Sequence, residues 1–136
     1  MNRIVLDASA ILAVLNREAG ADKLTPQLLS AATSSTVNLA EVQGKLVDRG
    51  LAPGDAWEAT FSPIREATTF TAEHAKAAGS LIAQTRTLGL SLGDRACLAL
   101  GLALRAPVYT ADRSWKTLGA MSSGSDSGCP RRDRFR

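Results

Sequence analysis

Residues 93–104, GDRACLALGLAL, are apolar on almost every side once past Arg95. A helix with no polar face has to be buried, so the rest of the chain must supply a layer to bury it. Ser91 offers the cap that starts this helix, and a short strand, residues 107–110, follows it closely. The strand and helix are bounded by two polar turns, and each turn carries one aspartate, Asp94 and Asp112. Neither is placed for packing: Asp94 opens the helix and Asp112 follows the strand. In an α/β sheet a helix start and a strand end can lie side by side at one edge, and open parallel sheets place their sites there.

The remainder of the chain reads as alternating strands and helices. Residues 3–6 (RIVL) are a continuous β-rich run, as expected of a strand buried on both faces of a parallel sheet. A helix over 8–15 follows and breaks near Gly20. Residues 21–29 resemble a short helix that must start late or bend, because Pro26 lies within it. Residues 32–37 are strand-like. Asn38 then reads as the cap of a helix over 39–49, closed by Gly50 in the usual position after a helix. A helix over 53–61, a weak strand within 64–69 and a helix over 71–86 complete the set before Ser91. Strands alternating with helices predict βαβ units and a parallel sheet. There is no internal repeat.

At 136 residues the chain is sized for one domain with a real core. Its 45% hydrophobic content, rich in Ala and Leu and poor in aromatics, favours a helix-rich soluble domain. The net charge of +3 is weak evidence for a polyanionic partner. Residues 121–136 hold Arg131, Arg132, Arg134 and Arg136 against Asp126 and Asp133, so most of the excess is in the tail. Two cysteines, Cys97 in the apolar helix and Cys129 in the tail, make no disulfide framework and suit a reducing cytoplasm. No apolar run reaches the ~18 residues of a membrane span, so the expected setting is cytoplasmic with no membrane association.

Four acids stand out, and each has an ordinary structural reading. Ser91-x-x-Asp94 and Asn38-x-x-Glu41 both resemble capping boxes. Asp7 follows the first strand and reads as the cap of the next helix, and Asp112 reads as a first-turn acid. Together they say more. In a parallel sheet Asp7 and Asp112 both lie just beyond carboxyl ends of strands, and Asp94 and Glu41 open helices near that edge. Four converging carboxylates repel strongly unless protonated or bridged by a cation. A hard divalent cation such as Mg²⁺ suits such oxygen donors. Bound there, it activates water and stabilises charge developing on a phosphodiester. No Ser/His/acid or Cys/His set competes, the sole histidine, His74, reads as solvated, and there is no Gly-rich phosphate loop. Helpers carry alternatives: Ser9 orients Asp7 or simply starts a helix, Asn38 caps or ligates, and Thr110 bonds a carboxylate. Arg95 and Arg113 contact phosphate or occupy ordinary surface. Trp115 and Cys97 read as packing residues.

In order, the chain carries a hydrophobic strand with D-A-S (Asp7 to Ser9), then N-L-A-E-V (Asn38 to Val42), then G-L-S-L-G-D-R-A-C-L-A-L (Gly89 to Leu100), then T-A-D-R-x-W (Thr110 to Trp115). These motifs resemble PIN-domain ribonucleases, specifically VapC-type toxins of type II toxin–antitoxin pairs, over residues 1 to about 118. The resemblance implies a three-layer α/β/α domain, here residues 1–120, with a central parallel sheet of four or five short strands. It implies a Mg²⁺-dependent endoribonuclease, with Mn²⁺ able to substitute. Asp7, Glu41, Asp94 and Asp112 match the family's site, and Asp7 and Asp94 match its usual metal ligands. It also implies RNA as substrate, a homodimer and an antitoxin that blocks the site, with residues 21–62 as the region for both protein contacts. The competing readings are a PIN-type nuclease of RNA processing or of DNA, and an inactive module that only binds an antitoxin. The departure is in residues 121–136, which lack hydrophobic periodicity and read as a disordered tail rather than the expected last apolar strand. They read like a different coding frame or a replaced terminus, which sequencing the locus for a one-base slip near codon 121 tests.

Overall fold

The computed structural model describes residues 2–111 and the backbone of residues 132–134. Five parallel strands, β1 (Ile4–Leu6), β2 (Ala32–Ser35), β3 (Glu66–Thr68), β4 (Val108–Thr110) and β5 (Arg132–Arg134), form one sheet in the order β3-β2-β1-β4-β5. Val5 is in register with Thr33 on one side and with Val108 on the other. The chain leaves β1 toward β2 and β3, then crosses back to place β4 on the opposite flank. The strand order therefore reverses between β1 and β4, and that is where a crevice opens beyond the carboxyl ends of the strands.

Helices cover both faces. On one face, α1 (Ala8–Leu15), α3 (Thr36–Asp48) and α4 (Pro53–Phe61) bury Ile11, Leu39, Val42 and Ala56 against Ile4 and Leu6. On the other, α7 (Leu92–Leu104) buries Cys97, Leu98 and Leu100 against Val5 and Val108, backed by α5 (Ala72–Ser80). β1 is buried along its whole length because alternate residues serve different layers. The apolar α7 is the enclosed helix its composition demands: seven of its thirteen residues are buried. Cys97 is wholly buried, and burial pushes its thiol well above the usual range, so it is a core residue.

Several local expectations are refined. Pro26 occupies the first turn of α2 (Pro26–Leu29), capped by Thr25, which is the late start that proline requires. The strand expected over 32–37 ends at Ser35, whose hydroxyl caps α3 by accepting from Val37 N at 3.3 Å. Asn38 is therefore inside the helix rather than its cap. The helix expected over 71–86 is divided into α5, α6 (Ile82–Thr85) and a 3-10 turn, Arg86–Leu88. Ser80 and Thr85 donate their hydroxyls to Lys76 O and Leu81 O, both at 2.8 Å, and such back-bonding bends helices. Gly89 closes the segment at φ 63. At the far flank, residues 132–134 pair in parallel with β4, correcting the expectation that the tail adds no strand. Strand pairing uses backbone groups that any residue supplies, and charged residues are at home on a sheet edge. The rest of the expected tail, and Cys129, lie outside the described residues.

Candidate active site

Asp7 is the residue around which the crevice is built. It leaves β1 and caps α1, its Oδ1 accepting from Ala10 N at 2.8 Å. Ser9 Oγ donates to the same oxygen at 2.7 Å, and Thr110 Oγ1, at the end of β4, donates to Oδ2 at 2.6 Å. Ser9 Oγ lies 3.1 Å from Thr110 Oγ1 and accepts from Ala111 N at 2.9 Å. This web ties the first strand to the fourth. Ser9 and Thr110 thus orient a site acid, and Thr110 does so by holding Asp7 itself. Asp7 is 3% exposed. Burial pushes its carboxyl up to about 6 from an ordinary 3.8, against the pull of the Thr110, Ser9 and Ala10 hydrogen bonds; the charge of Asp94 adds to the rise.

Asp94 sits in the first turn of α7. Its carboxylate accepts from Ser91 N at 3.0 Å, while Ser91 Oγ accepts from Asp94 N at 3.1 Å, the reciprocal box that the sequence spacing suggests. Glu41 reaches the same helix start from α3. A Cβ added at Gly93 would collide with the Glu41 carboxylate, so α7 receives Glu41 only because residue 93 has no side chain. Burial raises the Glu41 carboxyl and the Asp94 charge raises it further, with Lys45 and Asn38 opposing. Asn38, 1% exposed, donates its amide to Gly93 O at 3.0 Å, and its Oδ1 is buried with no partner among the described residues. The box expected between Asn38 and Glu41 is replaced by a cross-link from α3 to α7.

These side chains line a cleft of about 200 Å³ formed by Asp7, Ala8, Ser9, Asn38, Glu41, Lys45, Ser91 and Asp94. Three of the four expected acids are therefore brought together, with Ser9 and Asn38; Thr110 joins them through Asp7. Asp112, Arg113 and Trp115 lie outside the described residues. Arg95 turns away, donating Nη1 to Ala78 O of α5 at 3.0 Å, because its position on α7 faces the neighbouring helix rather than the cleft. His74 is not among the cleft residues. Sequence reasoning missed Lys45 and Gly93. The first is signalled only by its spacing of four from Glu41, and the second only by a glycine between a cap and an acid.

Among the described residues no three His, Cys, Asp or Glu side chains form a tight metal-ligand cluster. The donor set is nonetheless all oxygen. Among the described residues Asp7 Oδ2 accepts one hydrogen bond, from Thr110, and a carboxylate oxygen offers a second acceptor site. Such a set suits a hard cation that retains much of its water and takes one or two carboxylates; it does not suit a soft or caged metal.

A family model described as PIN domain matches residues 4–120. No curated protein matches the sequence. Among solved structures, DNA-bound VapBC from Salmonella typhimurium is 17% identical, both chains covered in full, with a TM-score of 0.71. VapBC2 from Rickettsia felis, bound to a DNA fragment from their promoter, is 16% identical with 98% of each chain covered and a TM-score of 0.70. VapBC-5 of the toxin–antitoxin family from Mycobacterium tuberculosis is 19% identical, with 100% of this chain and 99% of that chain covered and a TM-score of 0.59. At these identities the likeness is one of fold.

Proposed function

The chain belongs to the PIN-domain family, and on that premise we propose that it is a VapC-type endoribonuclease, the toxin of a type II toxin–antitoxin pair. The observation that carries the reading is the convergence of Asp7, Glu41 and Asp94 on one cleft at the carboxyl edge of the sheet. PIN domains are nucleases. Among the described residues the cleft lining contains no histidine or cysteine to activate a side-chain nucleophile, which supports water as the attacking group on a phosphodiester. Asp7 and Asp94 would hold Mg²⁺ or Mn²⁺, with Asp112 completing the set. The cation supplies activation of water and neutralises charge developing on the phosphate. The protein's own contribution is positional. Ser9, Ala10 and Thr110 fix the Asp7 carboxylate in one orientation. Glu41, with its carboxyl raised by burial and by Asp94, holds a proton closer to neutrality than a free glutamate does and orients the water.

Three of the structural neighbours are VapBC proteins, a family described as toxin–antitoxin systems, which supports a cognate antitoxin as the protein partner. A homodimer in a cytoplasmic setting completes the proposal; no helix among the described residues is long and apolar enough to cross a membrane. The test is Asp94→Asn. Purified protein stripped of metal and restored with Mg²⁺ is assayed on RNA and DNA side by side. The variant is expected to lose at least about a thousandfold in RNA cleavage while its far-UV circular dichroism is unchanged. Undiminished cleavage by Asp94→Asn refutes the site, and preferential cleavage of DNA refutes the substrate.

A further inference from the structure

Lys45 lines the cleft beside Asp7, Glu41 and Asp94, one turn beyond Glu41 on α3. Among the described residues it is the one cation in that lining, because Arg95 is committed to Ala78 O. A surface lysine four residues after a glutamate ordinarily serves as a helix-stabilising ion pair. Here no ion pair of 4.0 Å or less joins the two. Lys45 is an exposed residue and no hydrogen bond within the described residues engages it; its charge reaches Glu41 only through space, which leaves the ammonium's donors open to a ligand at the rim of the cleft. The ligand's chemistry follows from the surroundings. Three carboxylates repel a polyanionic strand, and a cation held among them would screen only the phosphate it touches. A strand lying across the cleft needs a second positive charge to seat the neighbouring phosphate, and a lysine ammonium binds phosphate as a point charge without reading bases.

We propose that Lys45 is a substrate-binding residue whose ammonium seats an RNA backbone phosphate adjacent to the scissile one, and so sets where the strand crosses the acids. This rests on the endoribonuclease reading. The test uses a short fluorescent single-stranded RNA of mixed sequence with the whole chain. Binding is followed by anisotropy in Ca²⁺ at several salt concentrations, and cleavage of the same RNA in Mg²⁺ or Mn²⁺. Lys45→Ala is expected to weaken binding by about tenfold and to lower the slope of log K against log salt by about 0.7, the value for one phosphate contact on a single strand. KM should rise in parallel with kcat changed less than about twofold, and Lys45→Arg should restore both. Lys45→Ala with wild-type affinity and slope overturns the proposal, whether or not the chain cleaves. A wild-type chain that binds RNA through Lys45 but cuts nothing overturns the nuclease reading and leaves the phosphate contact standing. A wild-type chain that does not bind RNA overturns both.

Discussion

The two helix starts that frame the cleft obey one rule by different means. At α1, Asp7 is buried and accepts hydrogen bonds from Ser9, Ala10 and Thr110, the last 103 residues away in sequence. At α7, Asp94 is half-buried and, among the described residues, accepts one bond, from Ser91 three residues before it. Both are acids at helix N-termini, where the dipole favours negative charge. Asp7 is held by tertiary structure, and its ionised form costs free energy; Asp94 is held by a local box beside solvent. The site thus joins a rigid, charge-strained acid to one that the chain can place with three consecutive turn residues.

The sharpest break in this contrast is Gly93→Ala. The added Cβ meets the far end of the flexible Glu41 side chain, so Glu41 swings out and the backbone of α7 stays. Alanine is also the better helix former, by up to about 1 kcal/mol. The expected outcome is a loss of at least about a hundredfold in kcat/KM with thermal stability unchanged or raised. Wild-type cleavage would show that Glu41 does not need its seat on α7.

The strained half of the comparison is read by pH. Between 3.8 and about 6 the folded chain holds the Asp7 proton more often than the unfolded chain does. Stability from this group is therefore fully present below 3.8 and is lost as pH rises through about 6. The span corresponds to about 3 kcal/mol. Asp7→Asn keeps an acceptor for Ser9 and Ala10 and presents an amide donor to Thr110. In EDTA it should exceed wild type in stability by up to about 3 kcal/mol at pH 8 and by little at pH 4, measured by urea denaturation, while cleavage is abolished. An equal difference at both pH values would place the Asp7 charge outside the energetics. A smaller effect separates the hydroxyl from the acid: Thr110→Val removes the donor to Asp7 Oδ2 and should cost about 2 kcal/mol at pH 8, less at pH 4 where Asp7 is largely protonated.

The same contrast explains what the amino-acid sequence reveals. Asp94 with Ser91, the closure at Gly50, the late start at Pro26 and the enclosed α7 are legible because each is decided within a few residues. The parallel α/β/α architecture is legible because helix and strand periodicities alternate, and the acids fall where that alternation turns. Asn38 is misread as a cap because Ser35, three residues earlier, also caps, and nothing local ranks them. Its real partner, Gly93 O, is 55 residues away. Arg95 and Lys45 both look like surface cations, and only the packing of α7 on α5 turns one from the cleft and leaves the other at its rim. The division of the helix after Ser80 falls at the Gly79-Ser80 pair, a common place for a helix to kink, which the apolar periodicity of the segment does not register. Residues 132–134 reach the sheet through backbone pairing, which leaves no mark in side-chain pattern.

The smallest effect tests the inexpensive half of the comparison. Ser91→Ala removes the hydroxyl that accepts from Asp94 N, leaving intact the return bond from Ser91 N to the Asp94 carboxylate. A lost N-cap costs about 1 kcal/mol, and because the site is exposed, water takes up the freed amide. The loss should be the same at pH 4.5 and pH 8, unlike that of Thr110→Val, because no buried charge depends on it. Asp94 then has one tether rather than two, so cleavage should fall only about two- to fivefold, and raising the Mg²⁺ concentration should recover it. A loss as large as that of Gly93→Ala would mean that Asp94 is held as rigidly as Asp7, and that the two helix starts differ in burial but not in function.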